Sequence, residues 1–171
     1  EGLISELTAK GKHFEFAEQT INGNPCRVFV NAPATLRDLF EHSLQFTDLD
    51  YLIYEDERYN YQEVYQQSAK IANALIEDYG FQQGDRVAIG MRNYPEWIAS
   101  FLAITSIGGI AVALNSLWNG EELAYGLELT GAKVVIADRE RVERLRPNTE
   151  KLDLQILTVR CETEENNRIK P

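Results

Sequence analysis

The amino-acid sequence predicts an α/β fold: an open, mostly parallel sheet with helices on both faces, and a small hairpin beside it. Three short apolar runs separated by helical segments support this prediction: Val87–Met91, Ile110–Leu114 and Lys133–Ala137. None of the three alternates with polar residues, which is typical of parallel strands buried on both faces. A fourth apolar run, Leu154–Val159, predicts a further strand.

Residues that begin and end helices lie between these strands. Pro95 suits the first turn of a helix, where its missing N–H is not needed, and Gly108-Gly109 ends that helix. Gly120–Thr130 predicts the next helix, with Asn119 as its N-cap and Gly131 directly after its end. This alternation of strand and helix is what favours a parallel sheet.

Three further elements precede this region. Thr35 suits the N-cap of a helix. A charged turn between Tyr51–Tyr54 and Arg58–Tyr59 predicts the small hairpin. Asn60 predicts the N-cap of the most amphipathic helix in the chain, and Gly80 ends it. We interpret the apolar stripe of that helix as core packing rather than as a ligand pocket.

The two ends of the chain carry less pattern. Residues 1–34 predict an amino-terminal arm that lies against the domain at a position the sequence does not define. Residues 35–160 are predicted to form one α/β subdomain, within which Asp138–Leu145 is a short helix closed by Pro147. Residues 161–171 are polar and predict a tail without regular structure, at a point where a longer protein is truncated.

The net charge and the cysteine content indicate which partners the protein can bind and in which cellular compartment it lies. The net charge of −10 argues against nucleic acid, which is bound through clustered Lys and Arg. The basic residues that do cluster alternate with glutamates, and we interpret them as a solvated helix face: Arg139, Arg141, Arg144 and Arg146. Cys26 and Cys161 lie far apart, which favours free thiols in a reducing compartment. The sequence has no apolar run of about 18 residues, so it favours a cytoplasmic protein, at most peripheral to a membrane.

Few residues qualify as parts of a site. The sequence contains no glycine-rich phosphate loop, no closely spaced metal ligands and no nucleophile motif, so no catalytic or metal-binding residue is predicted. Asn93, Glu96 and Asn115 are the candidates for substrate contact, because they follow strand ends, where ligands of open α/β sheets bind. Each also has a purely structural explanation. Asn93 can form a hydrogen bond to the backbone before the helix, Glu96 can interact favourably with the helix dipole, and Asn115 can shape the turn after its strand.

Six segments, in order and in spacing, resemble the amino-terminal part of the adenylate-forming enzymes, specifically the fatty acyl-CoA synthetases. They are TLRDLF at Thr35–Phe40, YNYQEVYQQSAKIANAL at Tyr59–Leu75, GDRVAIGMRNYPEW at Gly84–Trp97, GGIAVALN at Gly108–Asn115, EELAYGLELTGAKVVIAD at Glu121–Asp138 and QILTV at Gln155–Val159. The family often has Thr where Asn60 and Asn119 stand, and both asparagines keep the capping role. It often has Ser where Tyr94 stands and Pro where Ser116 stands, which are differences of loop shape.

This resemblance implies a two-step reaction. A carboxylate attacks the α-phosphate of ATP, with Mg²⁺ neutralising the phosphates, to give an acyl-adenylate and pyrophosphate. The thiol of coenzyme A then displaces AMP. In the family these steps need a Ser/Thr/Gly-rich loop ending in Lys and a mobile carboxy-terminal domain, neither of which occurs between Glu1 and Pro171.

We therefore expect a scaffold subdomain that is inactive and free of cofactor when alone. It would pack against the remaining domains of the same polypeptide, help to wall the acyl pocket and contribute to a homodimer contact. Overall likeness points to a long-chain fatty acid as the substrate.

Other interpretations stay open. The chain could be a stand-alone flavodoxin-like α/β module for binding or interaction, which would bind a nucleotide or flavin or have a closed surface. A dinucleotide-dependent oxidoreductase would need the glycine fingerprint that the sequence lacks. Within the adenylate-forming group, a relative that stops at the acyl-adenylate or loads a carrier protein is a further alternative.

Overall fold

The computed structural model describes residues 2–161 and 168–170. They form two compact units, divided between Leu39 and Phe40. The predicted division at residue 34 stays a prediction, because compactness alone does not define a domain. Among the described helices, none combines the length and the apolar character that a membrane crossing needs.

The first unit has more regular structure than the sequence analysis assigned to it. A short helix α1 (Gly2–Leu7) precedes an antiparallel hairpin of β1 (Phe16–Ile21) and β2 (Asn24–Phe29). Two residues join the strands, Asn22 at φ 49° and Gly23 at φ 81°. Asn-Gly with positive φ at both positions is the preferred two-residue hairpin turn. The sequence analysis assigned residues 1–34 only to an arm and so missed the hairpin.

A helix α2 (Leu36–Ser43) contains the boundary between the units, and Thr35 caps it through its Oγ1, which accepts the Asp38 N–H. The second unit then follows in this order: β3 (Asp50–Tyr54), β4 (Glu57–Asn60), α3 (Tyr61–Glu77), β5 (Arg86–Gly90), α4 (Pro95–Ser106), β6 (Ile110–Ala113), α5 (Gly120–Thr130), β7 (Val134–Asp138), α6 (Arg139–Leu145), β8 (Gln155–Val159) and β9 (Ile169–Lys170).

The main sheet is parallel throughout the described residues, with the strand order β6-β5-β7-β8-β9. Strands β3 and β4 form a separate antiparallel hairpin. The predicted α/β fold with a parallel sheet is confirmed. The predicted absence of regular structure in 161–171 is wrong at Ile169–Lys170, which pair with Ile156–Leu157. An edge strand needs only a free neighbouring edge to pair with, which a polar sequence does not reveal. Residues 162–167 and 171 lie outside the described ones.

Helices cover both faces of the sheet. On one face α3 and α4 pack against Val87 and Ile89 of β5 and Ile136 of β7. On the other face α5 and α6 pack against Ala88 of β5 and Val135 of β7. Successive strand residues thus enter opposite cores, which explains why these strands have no polar face.

Both predicted N-caps, Asn60 and Asn119, are present, and each belongs to a capping box. The Asn60 side chain accepts the Glu63 N–H at 2.8 Å, and the Glu63 carboxylate accepts the Asn60 N–H at 2.9 Å. Asn119 and Glu122 repeat this exchange at the start of α5. At the amino-terminal end of each of these two helices, two backbone N–H groups that have no partner within the helix are therefore hydrogen-bonded.

The first residue of helix α5, Gly120, lies very close to the backbone of α6. A Cβ placed on Gly120 would lie 2.6 Å from the backbone carbonyl oxygen of Arg144. That distance is far inside van der Waals contact, and a carbonyl oxygen cannot rotate away as a side chain can. Glycine at this position is therefore required by packing.

We expect Gly120→Ala to lower the free energy of unfolding by about 1–3 kcal/mol, the usual cost of overpacking. Helix propensity alone predicts the opposite sign, since alanine is favoured over glycine in helices by about 0.5–1 kcal/mol. Urea denaturation followed by circular dichroism measures the difference. Glu128→Ala, at an exposed position of the same helix, is the matched control and should change stability by less than about 0.5 kcal/mol. A stabilised Gly120→Ala variant would contradict the close approach.

Candidate functional site

The carboxyl ends of the parallel strands meet at one edge of the sheet. The chain leaves β5 through α4 toward β6, and it leaves β7 through α6 toward β8 on the other side. Strands β5 and β7 are neighbours, so their connections diverge in opposite directions. Such a point opens a crevice outside the strand ends, and ligands of open α/β sheets bind there.

A buried ion pair lies at this point. Asp138 ends β7 with 3% of its surface exposed, and Arg141 in the first turn of α6 is 1% exposed. One carboxylate oxygen, Oδ1, accepts the Arg141 Nε–H at 2.7 Å, and the other, Oδ2, accepts a bond from Arg141 Nη2 and the Arg92 backbone N–H at 3.0 Å. Burial by itself raises the pKa of Asp138, but these hydrogen bonds outweigh burial and hold the pKa below its ordinary value.

The same pair positions the loop after β6. Arg141 Nη1 donates to the Ser116 carbonyl oxygen at 2.9 Å, and Arg144 donates to the carbonyl oxygens of Ser116 and Trp118. The interpretation of these arginines as a solvated helix face is therefore wrong for Arg141, which is buried, and for Arg144, which is partly buried. Arg139 is exposed and pairs with Glu143, as a solvated face predicts.

A second arginine connects β8 to the hairpin. Arg160 directly follows β8, and its Nη atoms donate to both Glu57 oxygens at 2.9 and 2.6 Å. Its Nε donates to both Glu96 oxygens at 2.9 Å. The guanidinium carbon lies 5.1 Å from the ring centroids of both Tyr54 and Tyr94. One cation therefore joins the end of β8, the hairpin and the first turn of α4.

Among the described residues, Tyr94 contributes to the lining of three cavities. An apolar cavity of about 200 Å³ lies between the hairpin and α4. A polar cavity of about 410 Å³ lies toward the loop after β6. A third, of about 190 Å³, lies over Asp138 and Arg141. The apolar cavity is lined by Leu52, Ile53, Tyr54, Asn93, Tyr94, Pro95, Trp97 and Ile98, and the polar cavity by Tyr54, Arg92, Asn93, Tyr94 and Ser116.

The candidates that the sequence predicts occupy different surroundings. Asn93 lines both the apolar and the polar cavity. Glu96 lies in the first turn of α4 and is paired with Arg160. The side-chain oxygen of Asn115 accepts the Leu117 N–H at 2.9 Å and shapes the turn after β6, which is its structural alternative. Substrate contact by Asn93 and Glu96 stays a prediction.

Sequence reasoning missed Asp138, Arg141 and Arg160. The signal for Asp138 was present, since it ends an apolar strand run and precedes Arg141 by three residues, the spacing of a helical N-cap and its partner. Arg160 carried no comparable signal, because its partners are 64 and 103 residues away. Within the described residues, no group of three or more His, Cys, Asp or Glu side chains is placed to hold a metal ion.

We expect Arg160→Gln to raise the pKa of Glu57 from about 2 most of the way to its ordinary 4.5. Hydrogen bonds from Arg160 are the main cause of the low pKa. The hydrogen bond from the Tyr59 hydroxyl is a smaller cause, which the variant keeps. Because folding lowers this pKa, the stabilisation is fully present above pH 4.5 and is lost as the pH falls toward 2. Titration of the Glu57 carboxyl carbon by NMR measures the change.

Arg139→Gln is the control for that titration. Arg139 pairs with Glu143 at an exposed position, so this variant removes the same charge without touching Glu57. A Glu57 pKa that stays near 2 in Arg160→Gln would contradict the assigned contact.

Solved structures with a similar fold include acid ligases and CoA ligases. Coronafacic acid ligase from Pectobacterium brasiliense superposes with a TM-score of 0.74 at 20% identity, over 80% of this chain and 28% of that chain. At this identity the likeness shows the fold alone. Klebsiella oxytoca NpsA in complex with 3-hydroxyanthranilyl-AMSN superposes with a TM-score of 0.63 at 25% identity, over 75% of this chain and 25% of that chain.

Curated relatives of this chain are also described as CoA ligases. Medium/long-chain-fatty-acid–CoA ligase FadD6 of Mycobacterium tuberculosis is 32% identical over 113 residues, which are 66% of this chain and 19% of the relative. 4-Hydroxybutyrate–CoA ligase 2 of Metallosphaera sedula is 29% identical over 112 residues, which are 66% of this chain and 20% of the relative. The chain thus spans about a fifth of the length of these relatives. The family described as AMP-binding enzyme matches residues 39–170, most of the second unit, and the chain therefore belongs to this family of adenylate-forming ligases.

Proposed function

We propose that this chain is the amino-terminal part of a fatty acyl-CoA synthetase. The whole enzyme would activate a carboxylic acid with ATP to an acyl-adenylate and transfer the acyl group to coenzyme A. The observation that carries the proposal is the family match over residues 39–170 together with the parallel sheet, whose strand order has the ligand-binding edge of an open α/β fold.

A long-chain fatty acid is the proposed substrate. FadD6, a medium/long-chain enzyme by its description, is 32% identical to this chain over 113 residues. Other relatives are described as 4-hydroxybutyrate and 4-coumarate ligases, so the acid must be established by assay. The apolar cavity between the hairpin and α4 supports a contribution of this chain to a wall near the substrate, with Asn93 in its lining and Glu96 in the first turn of α4.

The described residues of this chain do not fit an ATP or magnesium site. The carboxylates at the sheet edge, which could ligate Mg²⁺, are instead bonded to Arg141 and Arg160. We assign both cofactors to other parts of the enzyme and propose that the chain alone is inactive. Its role would be to supply one sheet layer and to pack against the remaining domains, with a homodimer contact as a further element of the proposal. Two free cysteines fit a reducing cytoplasm, with or without peripheral attachment to a membrane.

ATP–pyrophosphate exchange tests this function. The complete protein encoded by the gene should catalyse exchange that depends on a fatty acid, with kcat/KM for dodecanoate at least about tenfold above that for butyrate or 4-coumarate. The 171-residue chain alone should show none. A preference for 4-coumarate would overturn the substrate, and exchange by the chain alone would overturn the scaffold role. A reading frame that ends at Pro171 would favour the stand-alone module instead.

A further inference from the structure

The sequence contains two Asn-Gly pairs, Asn22-Gly23 and Asn119-Gly120. Asparagine is one of the thermally labile residues. A following glycine increases its lability, because glycine has no side chain to shield the backbone nitrogen that can attack the asparagine side-chain amide. The two pairs have the same chemistry, so a difference in their reactivity must come from the structure around them.

Neither pair is ready to react in the conformation that the structure shows. Ring closure needs the side-chain amide carbon of the asparagine next to the glycine nitrogen. Asn22 has a φ of 49°, in the left-handed region, where ψ is about 30° to 60°, and this turns the Gly23 nitrogen away from the side chain. At the other pair, the Asn119 side-chain oxygen accepts the N–H groups of Glu121 and Glu122, both at 3.0 Å. Each site must therefore open before it reacts.

The hairpin that contains Asn22 opens at little cost. No residue from 2 to 39 is buried, and β1 and β2 form a sheet of only two strands. The aromatic rings of Phe16 and Phe29, which lie opposite each other across the strands, are 38% and 57% exposed. A two-stranded hairpin is at best marginally stable in water. Segments with few buried contacts open at a small fraction of the free energy of global unfolding.

Asn119 lies in a segment that opens far less easily. In addition to the two bonds at its side chain, its backbone N–H donates to the Glu122 carboxylate at 2.8 Å. The helix that it caps buries Leu123 and Leu127 in the core beneath the sheet. Gly120, whose nitrogen would have to move, is packed against the backbone of α6. Opening this site breaks the helix cap and disturbs the core.

We infer that the Asn22-Gly23 turn is a modification site at which the protein deamidates spontaneously, whereas folding protects Asn119-Gly120. When the hairpin opens, the Gly23 nitrogen loses its proton and attacks Cγ of Asn22. The bond from Cγ to the side-chain nitrogen breaks, and this nitrogen leaves as ammonia after taking up a proton, so that a five-membered cyclic imide remains. Water then adds to one of the two imide carbonyl carbons and breaks its bond to the ring nitrogen. The product is an aspartate or an isoaspartate, and nothing is oxidised or reduced.

The two products affect the hairpin differently. Asp-Gly is as suitable as Asn-Gly for a two-residue turn, so an aspartate at position 22 keeps the hairpin. An isoaspartate carries the main chain through its side chain and lengthens the main chain by one carbon atom. The turn that holds Ile21 opposite Asn24 then no longer fits. The modification therefore acts on the stability of the first unit, and it does not depend on the proposed ligase activity.

Peptide mapping by mass spectrometry measures both sites in the folded 171-residue chain during incubation at mildly alkaline pH, where the backbone nitrogen loses its proton more often. Deamidation at Asn22 should be at least about tenfold faster than at Asn119. In urea that unfolds the whole chain, the two rates should agree within about threefold, because only the structure distinguishes the sites. Methylation by a protein isoaspartyl methyltransferase with labelled S-adenosylmethionine measures the isoaspartate product.

A variant and a matched control test whether hairpin opening controls the reaction. Phe16→Ala removes the ring opposite Phe29 and should make deamidation at Asn22 about two- to fivefold faster, as the loss of one cross-strand pair predicts. Leu129→Ala removes a side chain that is 71% exposed on α5 and should leave the rate at Asn22 unchanged. Circular dichroism verifies that the second unit is folded in both variants.

Three outcomes would overturn the inference. The first is an equal or faster reaction at Asn119 in the folded chain. The second is an Asn22 that stays intact in the folded chain but deamidates in urea, which would show that the turn protects it. The third is an unchanged rate in Phe16→Ala, which would separate the reaction from opening of the hairpin.

Discussion

The ion pair between Asp138 and Arg141 is the interaction on which the ligand-binding edge of the sheet depends. Moving two charges out of water costs several kcal/mol for each ion, so such a pair persists only when its remaining hydrogen bonds are made. Here they are made to backbone groups of the segments after β5 and β6. The bonds that offset the desolvation cost are therefore the same bonds that fix the loops at the edge.

Arg160 stabilises the same edge of the sheet at the end of β8. Its backbone has a φ of 50°, a left-handed conformation that costs a non-glycine residue about 1–3 kcal/mol. The ion pairs to Glu57 and Glu96 offset that cost and hold the hairpin against the start of α4.

Most of the fold could be predicted from the sequence, because apolar runs and helix caps involve residues of a single helix or strand. The apolar runs placed β5, β6, β7 and β8 to within about a residue, which is closer than element ends are usually placed. Pro95 and the two capping asparagines placed the helices. The hairpin in the first unit was missed although Asn22-Gly23 is a strong turn signal. The candidate site was the part least predictable from the sequence. The partners of Arg160 are distant in sequence and come close only in the tertiary structure. Nothing in the charged segment around Arg141 indicates that its side chain is buried.

The strand order β6-β5-β7 has a consequence for how the protein is made. Strand β5 lies inside the sheet with a neighbour on each side, yet it leaves the ribosome before either of them. Its second edge stays unpaired until Val134–Asp138 has been synthesised, and α6, one of the two helices on the Ala88 side of the sheet, follows later still. Parallel pairing over such sequence separations is slow, and an apolar strand with a free edge aggregates easily. The nascent chain is therefore expected to need chaperone protection during this interval more than at any later stage.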